Sequence, residues 1–184
     1  MPVEIHAPDP WWPQEFSQIA TDLHGILGDT VLRIDHIGST SVPGLAAKDV
    51  IDIQVTVASD LDRPFGLLAA AGWQQKTPQT DHVVPGEPTD PAQWQKRLAV
   101  EPPGHRRVNC HLRIAGRANQ RYALLFRDYL RAHPATAAAY GDYKMRAAQL
   151  PFTDVGQYAD LKDPVCDLVY LPAREWAART GWTA

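Results

Sequence analysis

The stretch His36-Ile-Gly-Ser-Thr40-Ser-Val-Pro-Gly44-Leu-Ala-Ala-Lys48-Asp-Val-Ile-Asp52-Ile-Gln-Val55 decides the fold of this chain. It reads as strand, small-residue turn, basic loop, strand. The turn at Gly38, Ser39 and Thr40 exposes backbone N–H groups with no bulky side chain above them and adds two hydroxyls, which suits approach by phosphate oxygens. Lys48 contributes a point charge. From Val50 to Val57, Ile51, Ile53, Val55 and Val57 alternate with Asp52, Gln54 and Thr56, so Asp52 and Gln54 share one open polar face. There Asp52 is placed to hold a divalent cation against phosphates. Taken singly these parts are ordinary, since such turns are common and an outward Asp on a strand is usually just solvated.

Upstream, Phe16, Ile19, Ala20, Leu23 and Leu27 recur at helical spacing and predict an amphipathic helix from about 13 to 27, ended by Gly28-Asp29. Leu32 and Ile34 alternate with Arg33 and Asp35 in a first strand with one buried face. Downstream, Asp60 is an N-cap for a helix through Leu61, Phe65, Leu68 and Ala69, closed by Gly72. The Pro-, Asp- and Thr-rich segment from about Thr77 to Pro91 reads as a long mobile loop that covers a site. Two more strands follow, near Trp94 to Val100 and from Val108 to Ile114. The second turns Asn109, His111 and Arg113 to its polar side. The last third is helical: Tyr122 to Leu130 ends before Pro134, a second helix runs from Ala137 to Leu150-Pro151, and a final one starts near Asp154 or Asp163 and passes Trp176, with Pro172 kinking or dividing it.

The chain has 184 residues, 18 Lys and Arg against 21 Asp and Glu, and a net charge of -3. Its pI is near 6.1 and its mean hydropathy is -0.31. One domain spanning 1–184 is the expectation at this length. The charge balance offers no basic field for nucleic acid, and no apolar window is long enough for a membrane span, so neither partner is expected. Cys110 and Cys166 match no disulfide or zinc spacing. The amino terminus carries no signal-peptide pattern, which leads to a cytoplasmic expectation. His36, His82, His105 and His111 form no metal-binding pair by spacing, and His36 is better read as bracing the turn.

His36 to Asp52 resembles the signature of the GrpB family: His-x-Gly-Ser-Thr, Val-x-Gly-Leu, Ala-Lys, then a hydrophobic run ending in Asp. Trp12 with Phe16, Phe126-Arg-Asp-Tyr-Leu-Arg131, Tyr140 with Lys144 and Tyr158 with Lys162 are similar to further family features, spread over nearly the whole chain. The resemblance implies an α+β, nucleotidyltransferase-like fold, with a mixed sheet packed against helices and a helical carboxy-terminal third. It implies a nucleotide or other phosphorylated small molecule as ligand, bound by His36, Gly38, Ser39, Thr40, Lys48, Arg127, Arg131, Lys144 and Lys162. Magnesium on Asp52, with Asp52 and His111 as catalytic residues, follows for a nucleotidyl or phosphoryl transferase. The family is also known fused to dephospho-CoA kinase.

The superfamily pattern is Gly-Ser, about a dozen residues, then Asp-x-Asp or Asp-x-Glu. Twelve residues separate Ser39 from Asp52, which fits, but position 54 is Gln. Two-metal transfer needs carboxylates that bridge both cations, and the later strand presents Asn109, His111 and Arg113 instead. Three readings stay open: Asp52 holds one magnesium with help from Asp49 or Asp35; His111 acts as base or as ligand; or the site is a non-catalytic module that binds a nucleotide without turning it over.

Overall fold

The computed structural model describes residues 3–76, 79–152 and 155–184. Alternating residues build the centre. Strand β1 (Arg33–Ile37) pairs antiparallel with β2 (Ile51–Val57), and β2 pairs parallel with β6 (Val108–Ile114). Beyond β6 lie β5 (Gln95–Val100) and β3 (Gln74–Gln75), while β4 (Gln79–Thr80) pairs with β5; all three contacts are antiparallel. The order is β1-β2-β6-β5-β3. One parallel pair in an otherwise antiparallel sheet makes it mixed.

Helix α1 (Trp12–Leu27) and α2 (Asp62–Ala70) cover one face. Ile51, Ile53, Val55 and Val57 of β2 and Val108, Cys110, Leu112 and Ile114 of β6 point there, against Trp12, Leu23, Leu27 and Leu68. Fully burying an aliphatic side chain stabilises by about 1.5–3 kcal/mol, so this face carries much of the fold. Asp60 caps α2 as expected, its Oδ1 accepting from Asp62 N at 2.8 Å and Arg63 N at 3.4 Å.

Helices α3 (Ala118–Ala132), α4 (Pro134–Ala147) and α5 (Val155–Thr180) form the other layer, around Leu125, Leu130, Tyr140, Tyr170 and Ala173. This is the α+β class expected from the sequence, a mixed sheet packed against helices with a helical last third.

Four expectations change. Leu32 is not in the core but exposed, because β1 begins at Arg33 and buries His36 and Ile37. The polar face of β2 is not open: α3 lies over it, and Gln54, Thr56 and Arg113 are buried. Pro172 does not divide the last helix, which runs through both Pro164 and Pro172; the alternative start at Asp154 lies outside the described residues. The segment after Thr77, itself with Pro78 outside those residues, is a fastened strap. Asp81 pairs with Lys96 and Arg113, His82 Nε2 sits 3.1 Å from Asp167, Arg174 Nε lies 3.1 Å from Glu87, and Val84 is buried against α5. Cys110 and Cys166 are both buried free thiols.

Candidate functional site

Gly38 ends β1 at φ 67° and ψ -172°, a backbone conformation open to glycine and costly for other residues. Packing enforces the same choice, since a Cβ there would lie 2.8 Å from Asp52 Cβ. The turn therefore rests directly on the Asp52 side chain. Ser39–Ser41 follow as a short 3-10 turn, with Ser41 Oγ donating to Gly38 O at 2.6 Å.

His36 and Thr40 hold this turn from behind. His36 stacks on Phe16 with ring centres 4.7 Å apart, and its Nε2 is 3.0 Å from Thr40 Oγ1, which donates to Val50 O at 3.3 Å. Burial lowers the His36 pKa to about 4, helped by the charges of Arg131 and Arg127. A neutral brace results.

The two arginines of α3 also brace rather than project. Arg127 donates through Nη1 to His36 O at 3.1 Å and to Asp35 Oδ1 at 3.4 Å, and through Nε and Nη2 to Asp128. Arg131 donates twice to Ser41 O, at 3.0 and 2.7 Å. Their planar forks are engaged with the backbone of the turn and with neighbouring carboxylates, so they shape the place where an anion would lie.

Lysines stand close to Ser39 and Asp52. Lys144 is 3% exposed, donates to Ser39 Oγ at 2.8 Å and to Ala46 O, and lies 4.8 Å from the Tyr140 ring centre. Burial pushes its pKa down to about 7, with Lys162 adding to the effect. Lys48 Nζ stands 4.3 Å over the Tyr158 ring, and burial together with Lys162 lowers its pKa too. The Lys162 charge acts to lower the pKa of Lys48, Lys144 and Asp52 alike. Tyr158 and Lys162, like Tyr140 and Lys144, are four residues apart on a helix; Lys144 lies over the Tyr140 ring, whereas the ammonium over Tyr158 is that of Lys48.

Asp52 keeps 30% of its side-chain exposure. Asn109 Nδ2 donates to its Oδ1 at 2.9 Å. Burial raises its pKa, against the pull of Asn109, Lys162, Lys48 and Arg113. His111 Nε2 is 4.0 Å from the same oxygen, and its Nδ1 is buried with no partner. Burial, then Arg113 and Lys96, holds the His111 pKa well below its usual value and keeps the ring neutral.

Sequence spacing did not connect the residues of the group beneath. Gln54, fully buried, accepts from Arg113 Nη1 at 2.8 Å and donates to Gln120 O at 3.2 Å. Arg113 also donates to both oxygens of Asp81, at 2.9 and 3.1 Å, while Lys96 and Asn119 donate to Asp81 as well. Although burial opposes it, Arg113 and Lys96 hold the Asp81 carboxyl well below its ordinary range. Asp81 sits in an aperiodic loop, so no spacing links it to Arg113. The one available signal was Arg113 on a strand face shared with Gln54, which called for a carboxylate from elsewhere.

The structure thus gathers Gly38, Ser39, Lys48, Asp52, His111, Lys144 and Lys162, with His36, Thr40, Arg127 and Arg131 behind the turn. Asp49 and Asp35 do not join Asp52. Asp49 accepts from Trp12 Nε1 at 2.9 Å and pairs with Arg106 on the α1 side, and Asp35 pairs with Arg33 and Arg127. Among the described residues, no group of three or more His, Cys, Asp or Glu is arranged to hold a metal. No helix among them is long and apolar enough to cross a membrane.

Residues 2–171 match the family model described as GrpB protein. The chain is 38% identical over 200 residues to a dephospho-CoA kinase of Mycolicibacterium paratuberculosis, an alignment covering 98% of this chain and 48% of that protein. It thus spans about half the length of that relative. It is 36% identical over 174 residues to a UPF0157 protein of Streptomyces coelicolor, covering 93% of this chain and 83% of the relative. Among solved structures it is similar to the conserved protein GrpB from Enterococcus faecalis, with a TM-score of 0.75, 28% identity, and coverage of 94% of this chain and 99% of that one. On its sequence and its fold alike, the chain belongs to the GrpB protein family.

Proposed function

We propose that this chain binds a nucleotide or another phosphorylated small molecule at the turn formed by Gly38, Ser39 and Thr40. The observation that carries this reading is the uneven charge around the turn. Lys144 donates to Ser39 Oγ and the charges of Lys48 and Lys162 act on Asp52, so positive charge is in excess where a Gly-Ser turn offers its hydroxyl. Burial makes such charges costly unless paired, and a phosphate group would pair them. Because relatives that share half their length with this chain are named dephospho-CoA kinase, dephospho-CoA and CoA join ATP as first ligands to test.

Isothermal titration calorimetry with these compounds is expected to show saturable binding. Lys144→Met is expected to weaken it about ten-fold or more, corresponding to ~1.4 kcal/mol or above. Absence of saturable binding by any phosphate compound would overturn the reading.

A second reading, transfer of a nucleotidyl or phosphoryl group, draws on His111. Its ring beside Asp52 is neutral and so can accept a proton from an attacking hydroxyl, as a base weakened by burial and by Arg113 and Lys96. It requires product formation that both Asp52→Asn and His111→Gln abolish while ligand binding persists.

A further inference from the structure

The donor set around Asp52 does not fit a protein-held magnesium centre. Magnesium sits on one or two carboxylates together with phosphate oxygens, and a two-metal centre needs carboxylates that bridge both ions. Here Oδ1 of Asp52 already accepts from Asn109, and the rest of its carboxyl lies against Gly38. Position 54, where a second carboxylate would stand, holds a Gln whose oxygen is committed to Arg113 and whose amide is committed to Gln120 O. Asp81 spends both oxygens on Arg113, with Lys96 and Asn119 as additional donors. Lys48, Lys162 and Arg113 all act on Asp52, and Lys162 acts on Lys144 as well. A divalent cation entering this place would meet one carboxylate, already partly engaged, against several positive charges. A phosphate chain would meet the reverse.

Resting on the phosphate-binding reading above, we propose that the site takes its ligand as a metal-free polyanion, a phosphate ester or polyphosphate. Lys48, Lys144 and Lys162 neutralise the oxygens that a divalent cation would otherwise cover. Asp52 is then a partner for these lysines and an acceptor for a ligand N–H or O–H, not a metal ligand. Magnesium in solution competes with the lysines for the same phosphate oxygens.

The test is calorimetric titration of the full chain with ATP and with inorganic tripolyphosphate, in EDTA and in millimolar magnesium. Binding is expected in EDTA and is expected to weaken several-fold in magnesium, more for tripolyphosphate than for ATP. In EDTA, Lys48→Gln and Lys162→Gln should each lose about ten-fold in affinity, whereas Asp52→Asn should retain or gain affinity because it removes negative charge. A parallel titration with manganese, followed by electron paramagnetic resonance, should show no saturable site on the ligand-free chain. Binding that appears only with magnesium and is lost in Asp52→Asn would overturn the inference and leave the phosphate reading standing. So would a saturable manganese site that Asp52→Asn removes. Failure of both compounds, and of dephospho-CoA and CoA, to bind in either condition would overturn both.

Discussion

Gly38 and Asp52 touch through atoms a side chain at position 38 would displace, so the turn and the carboxylate form one unit. Gly38→Ala adds left-handed backbone strain of roughly 1–3 kcal/mol and a contact with Asp52. The expected loss is about 2 kcal/mol in denaturant unfolding, together with weakened ligand binding; unchanged stability would contradict the geometry. Gln54 is a residue whose role reverses between sequence and structure. On the strand it looks like a failed metal ligand, yet its amide joins Arg113 to the backbone of α3. Gln54→Leu leaves a buried Arg113 N–H unpaired and should cost about 1–3 kcal/mol, measurable in the same unfolding experiment.

At the scale of elements, the strap from Asp81 to Trp94 links sheet and helices. Asp81 is its sheet anchor, and the side chains of Asp81, Lys96 and Arg113 are all largely buried. Asp81→Asn leaves two cations without their counter-charge and should destabilise by ~3 kcal/mol, while limited proteolysis within 82–90 speeds up. A variant as resistant as the parent would show that the ion pairs do not hold the strap. The sign with pH follows from the depressed pKa. The stabilisation is present above the unfolded carboxyl value near ~3.9 and is lost as pH falls further. Helix α5 makes the complementary point. Two internal prolines would end an isolated helix, but Cys166, Val169, Tyr170, Ala173 and Ala177 bury against α3 and α4, and tertiary packing outweighs the two lost backbone hydrogen bonds.

For the molecule as a whole, the neutral His36 brace behind the turn sets an acid limit earlier than the ion pairs do. His36 titrates at about 4 when folded against 6.5 in the free side chain, so the unfolded chain takes up more protons between those values. Stability should fall as pH drops from 6.5 to 4, by about 3 kcal/mol from this group, and the slope should flatten in His36→Gln. Chemical denaturation at several pH values in that range checks it, and equal slopes in the two proteins would refute the assignment.

Much of this architecture was legible in the chain. Alternation at Ile51 to Val57 and at Val108 to Ile114, the caps at Asp60 and Gly72, and the turn at Gly38 all rest on local periodicity and backbone preference, which neighbouring residues alone determine. The sequence by itself thus determined the four longer strands, though not β3 and β4, together with the turn and the presence of Asp52 and Lys48 near it. Only the tertiary structure decided that the polar face of β2 is covered, that Gln54 belongs to Arg113, that Asp81 completes that pair, that Lys144 reaches Ser39, and that the Lys162 charge acts on Asp52. Those facts depend on segments distant in sequence being packed over one sheet, where burial makes every unpaired charge or N–H costly and so fixes which partners meet.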